Sequence, residues 1–135
     1  MSYLVRAERY AAASGVIVRR AQTPGGEWGV YEHRRRLITL HPDLRGPQLD
    51  WTFWHELGHA EYGHVGGDCR RKSKQERQAD RWAALHMFDP FAFIQHVQPG
   101  MTDQEVACEL GALPVAVTRL REALATLQVP LHEVA

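Results

Sequence analysis

Residues 55–59 read His-Glu-Leu-Gly-His, a pattern that places two histidines four positions apart. In a helix, residues four apart lie on the same face, so the imidazoles of His55 and His59 can converge on one metal ion. Neutral imidazole is a common zinc ligand. Glu56 is placed to take a proton from a water molecule beside the ion and to pass it to a leaving amine. The pattern therefore predicts a zinc-dependent hydrolase with Glu56 as its general base.

The residues around this motif favour a metal site over the alternative, which is a pair of ordinary histidines on the surface of an amphipathic helix. The motif is flanked by apolar residues on both sides, namely Trp51, Phe53, Trp54, Ala60 and Tyr62. Polar side chains within such an apolar helix need partners. Gly58 has no side chain and would allow another backbone to approach the helix closely.

A catalytic zinc site usually has three protein ligands and leaves one position for water, so a further ligand is needed. The metzincin pattern H-E-x-x-H-x-x-G-x-x-H does not continue here, because Tyr62 and Val65 occupy the positions of its Gly and its third His. His64 lies one residue short of that place. We interpret His64 as a residue favoured near the C-terminus of a helix, with metal ligation as the alternative.

The next predicted helix carries Glu76 and Asp80, which are four residues apart and share a face. We predict that Glu76 is the third ligand and that Asp80 accepts the spare N–H of one zinc histidine, which would fix that ring's tautomer. Ser73-x-x-Glu76 is also a capping-box pattern, so Glu76 has an alternative role as a cap. Asp80 has an alternative as well, an ion pair with Lys74, Arg77 or Arg81.

Four more side chains are candidates for binding substrate or stabilising the oxyanion that forms during hydrolysis. They are Tyr31, His41, Tyr62 and His64. The sequence does not distinguish among them. We expect an extended substrate to add as a strand to an exposed edge of the predicted sheet, formed by residues 36–40.

The elements that position these residues make a mainly helical α+β domain. A helix over residues 3–14 is followed by three short strands, at residues 15–20, 28–32 and 36–40. Because the polar stretch 33–35 would join the last two as a hairpin, we predict a small three-stranded antiparallel sheet. The sheet precedes the motif helix, which should run from Pro47 to about Gly63.

The second half of the chain is predicted to be helical. After a loop that contains glycine, Ser73 opens a helix that ends near Met87, and a short helix follows Pro90. Two closing helices, over residues 102–111 and 114–127, form a pair of the length of a helix-turn-helix. We expect this pair to pack on the rest of the domain.

The composition is that of one globular domain. The 135 residues suffice for a single hydrophobic core, and we expect one domain over residues 1–135. Formal net charge is zero, with 16 basic and 16 acidic residues, so we do not expect direct binding to nucleic acid. The two cysteines do not indicate a disulfide framework, and neither a signal peptide nor an apolar run of about 18 residues is present. We therefore expect a cytoplasmic protein that does not enter the membrane.

Two motifs taken together resemble the ImmA/IrrE family of metallopeptidases, which are of the gluzincin type. The first is Trp54-His-Glu-Leu-Gly-His59. The second is Glu76-x-x-Ala79-Asp80-x-Trp82-Ala83, in which Trp82 stands where the family usually has Phe. Residues 105–111 and 117–120 also resemble the closing helices of the family. The resemblance covers most of the chain and implies a zincin-like fold with zinc as the cofactor.

The resemblance also implies a biological context. Family members are typically encoded by phages, mobile elements and bacteria, and several act as anti-repressors that cleave or inactivate a helix-turn-helix repressor. We therefore expect a zinc-dependent endopeptidase whose protein substrate is such a repressor. One alternative is a protein that keeps the metal but relieves repression by capturing the repressor uncut.

A second alternative is a regulator that binds DNA through the closing helical pair. The second helix of this pair carries Arg119 and Arg121, which suits contact with phosphates. It begins, however, with Pro-Val-Ala-Val at residues 114–117, which is poor in groups that read bases. We favour packing against the catalytic core as the role of this pair.

Overall fold

The computed structural model describes residues 2–66 and 69–127. Its elements, in chain order, are α1 (Tyr3–Ala13), β1 (Ile17–Arg20), β2 (Gly29–Glu32), β3 (Leu37–Leu40), α2 (Gly46–Tyr62), α3 (Cys69–Met87), α4 (Pro90–His96), α5 (Asp103–Leu110) and α6 (Pro114–Thr126). The predicted α+β class is confirmed. The domain predicted over residues 1–135 also includes residues 1, 67–68 and 128–135, which lie outside the described part. None of the helices in the described ranges combines the length and apolarity needed to cross a bilayer.

The sheet is mixed, so the prediction of an antiparallel sheet is wrong in part. The strand order is β1-β3-β2, with β1 parallel and β2 antiparallel to β3. All four residues of β3 are buried, whereas β1 is mostly exposed. A strand that is apolar on both faces belongs in the centre of a sheet. The prediction assumed that strands adjacent in sequence are neighbours in space, which is a common but not universal arrangement.

The helix that carries the motif, α2, is buried on almost all sides. Its apolar side chains pack into the core, and Trp54 donates its Nε1–H to the carbonyl oxygen of Tyr3 at 3.1 Å. A helix with apolar residues around most of its surface is driven into the interior. The motif residues are carried with it, so Glu56 and His59 are only 5% and 9% exposed. The helix ends at Gly63, which adopts the left-handed conformation typical of a helix terminus.

The next helix, α3, begins at Cys69, four residues before the predicted start at Ser73. The intervening residues are mostly Arg and Lys, which are good helix formers, so the helix extends over the predicted loop. Because Ser73 lies inside α3, the interpretation of Glu76 as part of a capping box is wrong. α3 packs along α2 through small residues, and Ala79 in this contact is completely buried.

The closing helices α5 and α6 form the predicted pair. Thr102 and Glu105 make the predicted capping box at the start of α5: Thr102 Oγ1 accepts from Glu105 N at 3.1 Å, and the Glu105 carboxylate accepts from Thr102 N at 3.2 Å. α6 packs on α3 as well as on α5, and its Val117 and Leu120 are completely buried. The pair therefore completes the core, with α6 packed against α3.

Candidate metal centre

The structure brings together the three side chains predicted to bind metal. His55 and His59 lie one turn apart on α2, and their Nε2 atoms are 3.1 Å from each other. Glu76 reaches them from α3, with Oε2 at 2.9 Å from His55 Nε2 and Oε1 at 3.1 Å from His59 Nε2. One donor atom from each of the three residues fits within 4.8 Å of the others.

This donor set suits a divalent transition metal. Ligand atoms about 2.0–2.2 Å from a tetrahedral zinc ion lie about 3.3–3.5 Å from one another, which is close to the separations of these nitrogen and oxygen atoms. Two imidazoles and a carboxylate also match the His-His-Glu set of catalytic zinc sites, in which the fourth position is left to water. The residues therefore fit the group that the sequence motif implies.

Charge at the cluster favours a bound cation. Hydrogen bonds to Asp80 and Glu76, helped by the nearby charge of Glu56, outweigh the opposing effect of burial and raise the pKa of His55 to about 10. Hydrogen bonds from His55 and His59 hold the pKa of Glu76 well below its usual range. A group of carboxylates that attracts a proton this strongly also attracts a metal ion, which must displace that proton in order to bind.

Glu56 lies beside the three donors without joining them. Its Oε2 is 3.9 Å from His55 Nε2, and Glu56 is not part of the group whose donor atoms all lie within 4.8 Å of one another, so it is placed for contact with a water molecule at the centre. Burial raises the pKa of Glu56. The side chain packs under Gly29 of β2, where an added β-carbon would stand only 2.8 Å from Thr52 Cγ2 and 3.0 Å from Glu56 Cγ. The missing side chain at Gly29 therefore makes room for Glu56 beside the sheet.

Two residues linked by hydrogen bonds, Asp80 and Arg119, hold the ring of His55 through its Nδ1 atom. Its Nδ1 donates to Asp80 Oδ1 at 2.7 Å, as predicted for a carboxylate that orients a zinc histidine. The other oxygen of Asp80 accepts from Arg119 Nε of α6 at 3.1 Å. The ion pair predicted as the alternative role of Asp80, with a cation on its own helix, is replaced by this contact with α6. His55 is thereby connected to the closing helices.

His59 is held by a different chain. Its Nδ1 lies 2.9 Å from Nδ1 of His64, and Nε2 of His64 lies 2.9 Å from Oε1 of Gln78 on α3. His64 follows the end of α2, and its ring is stacked on Tyr62 with the two centroids 5.4 Å apart. Burial lowers the pKa of His64, with a contribution from the neighbouring His59. His64 thus contacts the predicted metal ligand His59 at Nδ1, which is the ring nitrogen of His59 that faces away from the centre.

The centre lies in a cleft of about 860 Å³ between α2, α3 and β2. Because β3 is the central strand, the predicted substrate edge at residues 36–40 is not available: both of its sides are already paired. The edge strand beside the cleft is β2, which pairs with β3 on one side only. Three apolar side chains at the cleft are partly exposed, namely Trp28 at 48%, Val65 at 72% and Val115 at 37%.

Of the four candidates for substrate or oxyanion contacts, the structure places Tyr31 and His64 in the cleft. Tyr31 lies on β2, and its hydroxyl is 2.8 Å from His33 Nδ1. His41 is not among the residues that line the cleft, and its Nδ1 accepts from the backbone N–H of Asp43 at 3.1 Å. Tyr62 is also outside the lining and is 51% exposed.

Sequence reasoning missed several residues that shape this centre. Arg119 was considered only as a DNA contact, and neither Gln78 nor His33 was singled out. The signal for Gln78 is weak: it is an uncharged residue three positions after Gln75 on a helix that is otherwise rich in charge. The contacts of Arg119 with Asp80 and of Gln78 with His64 depend on the position of α3 between α2 and α6. The sequence alone does not predict this packing.

Comparison with protein families gives a match to the model of the peptidase family M78, described as the IrrE N-terminal-like domain, over residues 11–122. This range extends from the end of α1 into α6 and contains every side chain of the metal centre. No curated protein and no solved structure matches the chain.

Proposed function

Because this chain belongs to the IrrE N-terminal-like family of peptidases, we propose that it is a zinc-dependent endopeptidase. The observation that carries the proposal is the convergence of His55, His59 and Glu76 within 4.8 Å, with the buried Glu56 beside them. Zinc is the metal that two imidazoles and one carboxylate bind in hydrolases of this type. The family match covers the positions of all four residues.

In this proposal the protein residues have separate roles. When bound, zinc would polarise the scissile carbonyl and make water more acidic. Glu56 takes a proton from the attacking water as its oxygen bonds to the carbonyl carbon. Glu56 then returns the proton to the peptide nitrogen as the carbon–nitrogen bond breaks. The raised pKa of Glu56 suits both roles, because a catalytic group that both takes and returns a proton works best when its pKa is nearer the working pH than that of an ordinary carboxylate.

We propose that the substrate binds as an extended strand along β2. The free side of β2 borders the cleft, so its backbone N–H and carbonyl groups are available to a further strand. The exposed apolar side chains of Trp28, Val65 and Val115 line the same cleft. An extended peptide with apolar residues near the cleaved bond fits this surface.

We assign the oxyanion contact to Tyr31. His64 also lines the cleft, but both of its ring nitrogens are engaged, with His59 and Gln78. The phenolic hydroxyl of Tyr31 is positioned by His33 and can donate to an oxygen that develops negative charge.

The family resemblance supports one further step, that the substrate is a helix-turn-helix repressor of a phage or mobile element. We do not propose that the chain itself binds DNA through α5 and α6. The two arginines that would contact phosphates are occupied, since Arg119 pairs with Asp80 and Glu122, and Arg121 pairs with Asp103. Val115 at the start of α6 faces the catalytic cleft.

Cleavage by the zinc-loaded protein tests the enzymatic proposal. A library of proteome-derived peptides is incubated with wild type or with Glu56→Gln, and new termini are identified by mass spectrometry. Wild type should cleave many peptides per molecule, with apolar residues enriched near the cut. Glu56→Gln should retain zinc and lose cleavage. Equal cleavage by the two proteins would show that Glu56 is not the general base.

The second candidate function is capture of the repressor without cleavage. A titration with the zinc-loaded protein distinguishes capture from proteolysis. A candidate helix-turn-helix repressor is mixed with substoichiometric amounts of the zinc-loaded protein. An enzyme should convert all of the repressor into fragments. Inhibition that stops at one repressor per chain, with no fragments, would favour capture.

A further inference from the structure

We propose that His64 and Gln78 are positioning residues that fix the tautomer and orientation of His59 for metal binding. This inference rests on the proposed function, because it requires a metal at His59 Nε2. The sequence predicts a helix-end role for His64, with metal ligation or substrate contact as alternatives, and it predicts no role for Gln78. The juxtaposition that carries it is a continuous line of hydrogen-bonding atoms from Gln78 on α3, through His64, to the metal-facing ring of His59.

The direction of each hydrogen bond follows from the Gln78 end. The amide oxygen of Gln78 can only accept, so Nε2 of His64 carries a proton and donates it across 2.9 Å. In a neutral imidazole the other nitrogen is then an acceptor. Nδ1 of His64 therefore accepts from Nδ1–H of His59, also across 2.9 Å. When metal displaces the proton that Nε2 of His59 shares with Glu76, the Nε2 lone pair faces the ion beside Nε2 of His55, while Nδ1–H stays bonded to His64.

The arrangement performs for His59 what Asp80 performs for His55. Asp80 accepts from Nδ1 of His55 directly, with a charged oxygen. No carboxylate contact to Nδ1 of His59 is found among the described residues, where a second imidazole accepts instead. A neutral acceptor polarises the ring of His59 less than the Asp80 carboxylate polarises the ring of His55.

Different residues hold the ring of His64 and the part of the loop that follows it. The ring of His64 is stacked on Tyr62 at an interplanar angle of 12°. Gln75 holds the next part of the loop, since its side chain exchanges two hydrogen bonds of 3.2 Å with the backbone of Gly66. Gln75 and Gln78 are three residues apart on α3, and only Gln78 contacts an imidazole. This pair supplies a matched control.

The zinc affinities of three variants and one control variant test the role of His64 and Gln78. His64→Phe keeps a flat ring beside Tyr62 but removes the acceptor, so zinc affinity should fall by about 10- to 100-fold. His64→Asn places an amide oxygen the same number of bonds from the backbone as Nδ1 and should restore most of the affinity. Gln78→Leu should weaken zinc binding, whereas Gln75→Leu, which loosens only the loop, should not.

A spectroscopic measurement on the wild type avoids any failure of a variant to fold. In the zinc-loaded, nitrogen-15-labelled protein, His64 should be the neutral Nε2–H tautomer, and a scalar coupling should connect Nδ1 of His59 to Nδ1 of His64. His64 protonated on Nδ1, or an affinity for His64→Phe equal to that of wild type, would overturn the inference alone. If the wild type does not bind zinc, the inference and the proposed function fail together.

Discussion

Gly58 of α2 lies directly against the backbone of Ala79 on α3. A β-carbon added to Gly58 would stand 2.8 Å from the carbonyl oxygen and 2.9 Å from Cα of Ala79. Backbone atoms cannot move aside as the end of a flexible side chain can, so α2 and α3 are this close only because residue 58 has no side chain. Since α2 carries both histidines and α3 carries Glu76, this contact sets the distance between the metal ligands.

Gly58→Ala should therefore separate the two helices. Overpacking of this kind costs about 1–3 kcal/mol of unfolding free energy, and the shift of Glu76 away from the histidines should also weaken zinc binding. Without the clash the same change would stabilise the protein, because Ala is favoured over Gly within a helix by about 1 kcal/mol. Denaturant unfolding of the metal-free protein distinguishes these outcomes, because the unfolding free energy falls in the first and rises in the second. A more stable variant would contradict the close packing.

Asp80 connects the closing helices to the metal centre. Asp80→Asn removes the charged acceptor of His55 Nδ1–H, so zinc affinity should fall by about 10- to 100-fold. Arg119→Gln should cause a smaller loss in the same direction, because Asp80 loses its partner on α6. Arg121→Gln is the control, since Arg121 is on the same helix but pairs with Asp103. Equal effects of the two arginine substitutions would contradict a specific connection through Asp80.

Glu56 should lower the stability of the metal-free protein at neutral pH. Burial raises its pKa, so the folded protein holds this proton more tightly than the unfolded chain does. Folding is then disfavoured at pH values above the ordinary pKa of Glu, about 4.3, and this cost disappears below it. Glu56→Gln removes the charge and should raise the unfolding free energy at pH 7, with a difference that shrinks towards pH 4.

The control for this pH dependence is Glu8→Gln, which removes an equal charge from an exposed position on α1. Surface substitutions usually change the unfolding free energy by less than about 0.5 kcal/mol. Urea unfolding at several pH values measures all three proteins. A gain for Glu56→Gln that is the same at pH 4 and pH 7 would show that the buried charge is not its source.

Tyr31 is expected to act on the rate of cleavage. Tyr31→Phe removes only the hydroxyl, so kcat should fall by about 100-fold while KM and zinc content change little. His33→Ala should have a milder effect, because His33 only orients the hydroxyl. Steady-state kinetics on one cleaved peptide give both constants. A rise in KM with kcat unchanged would assign Tyr31 to substrate binding instead of the oxyanion contact.

The sequence was sufficient for those parts of the centre that depend on local periodicity. Two histidines four apart on a helix must share a face, so His55 and His59 could be paired without a structure. The capping box at Thr102 is equally local, and it is present. Glu76 and Asp80 share a face for the same reason, and Glu76 was predicted as the third ligand because a zinc site needs one more protein donor.

The parts that could not be predicted depend on contacts between distant segments. Strand order follows from which strand is buried on both faces. Because β3 lies between β2 and β1, β1 runs parallel to its neighbour and not antiparallel as predicted. With β3 at the centre, the edge strand beside the cleft, along which we propose that substrate binds, is β2. The chains behind the two histidines join residues from different elements, such as Arg119 with Asp80, and no spacing in the sequence encodes such a contact.

The central claim is that His55, His59 and Glu76 share one metal ion. Zinc content and affinity, measured by elemental analysis and by competition with a chromogenic chelator, test it for wild type beside Glu76→Ala and the exposed control Glu8→Ala. Wild type and Glu8→Ala should each bind one zinc ion per chain, and Glu76→Ala should lose it. A wild type that binds no zinc, or a Glu76→Ala variant that binds it as tightly as wild type does, would contradict the account.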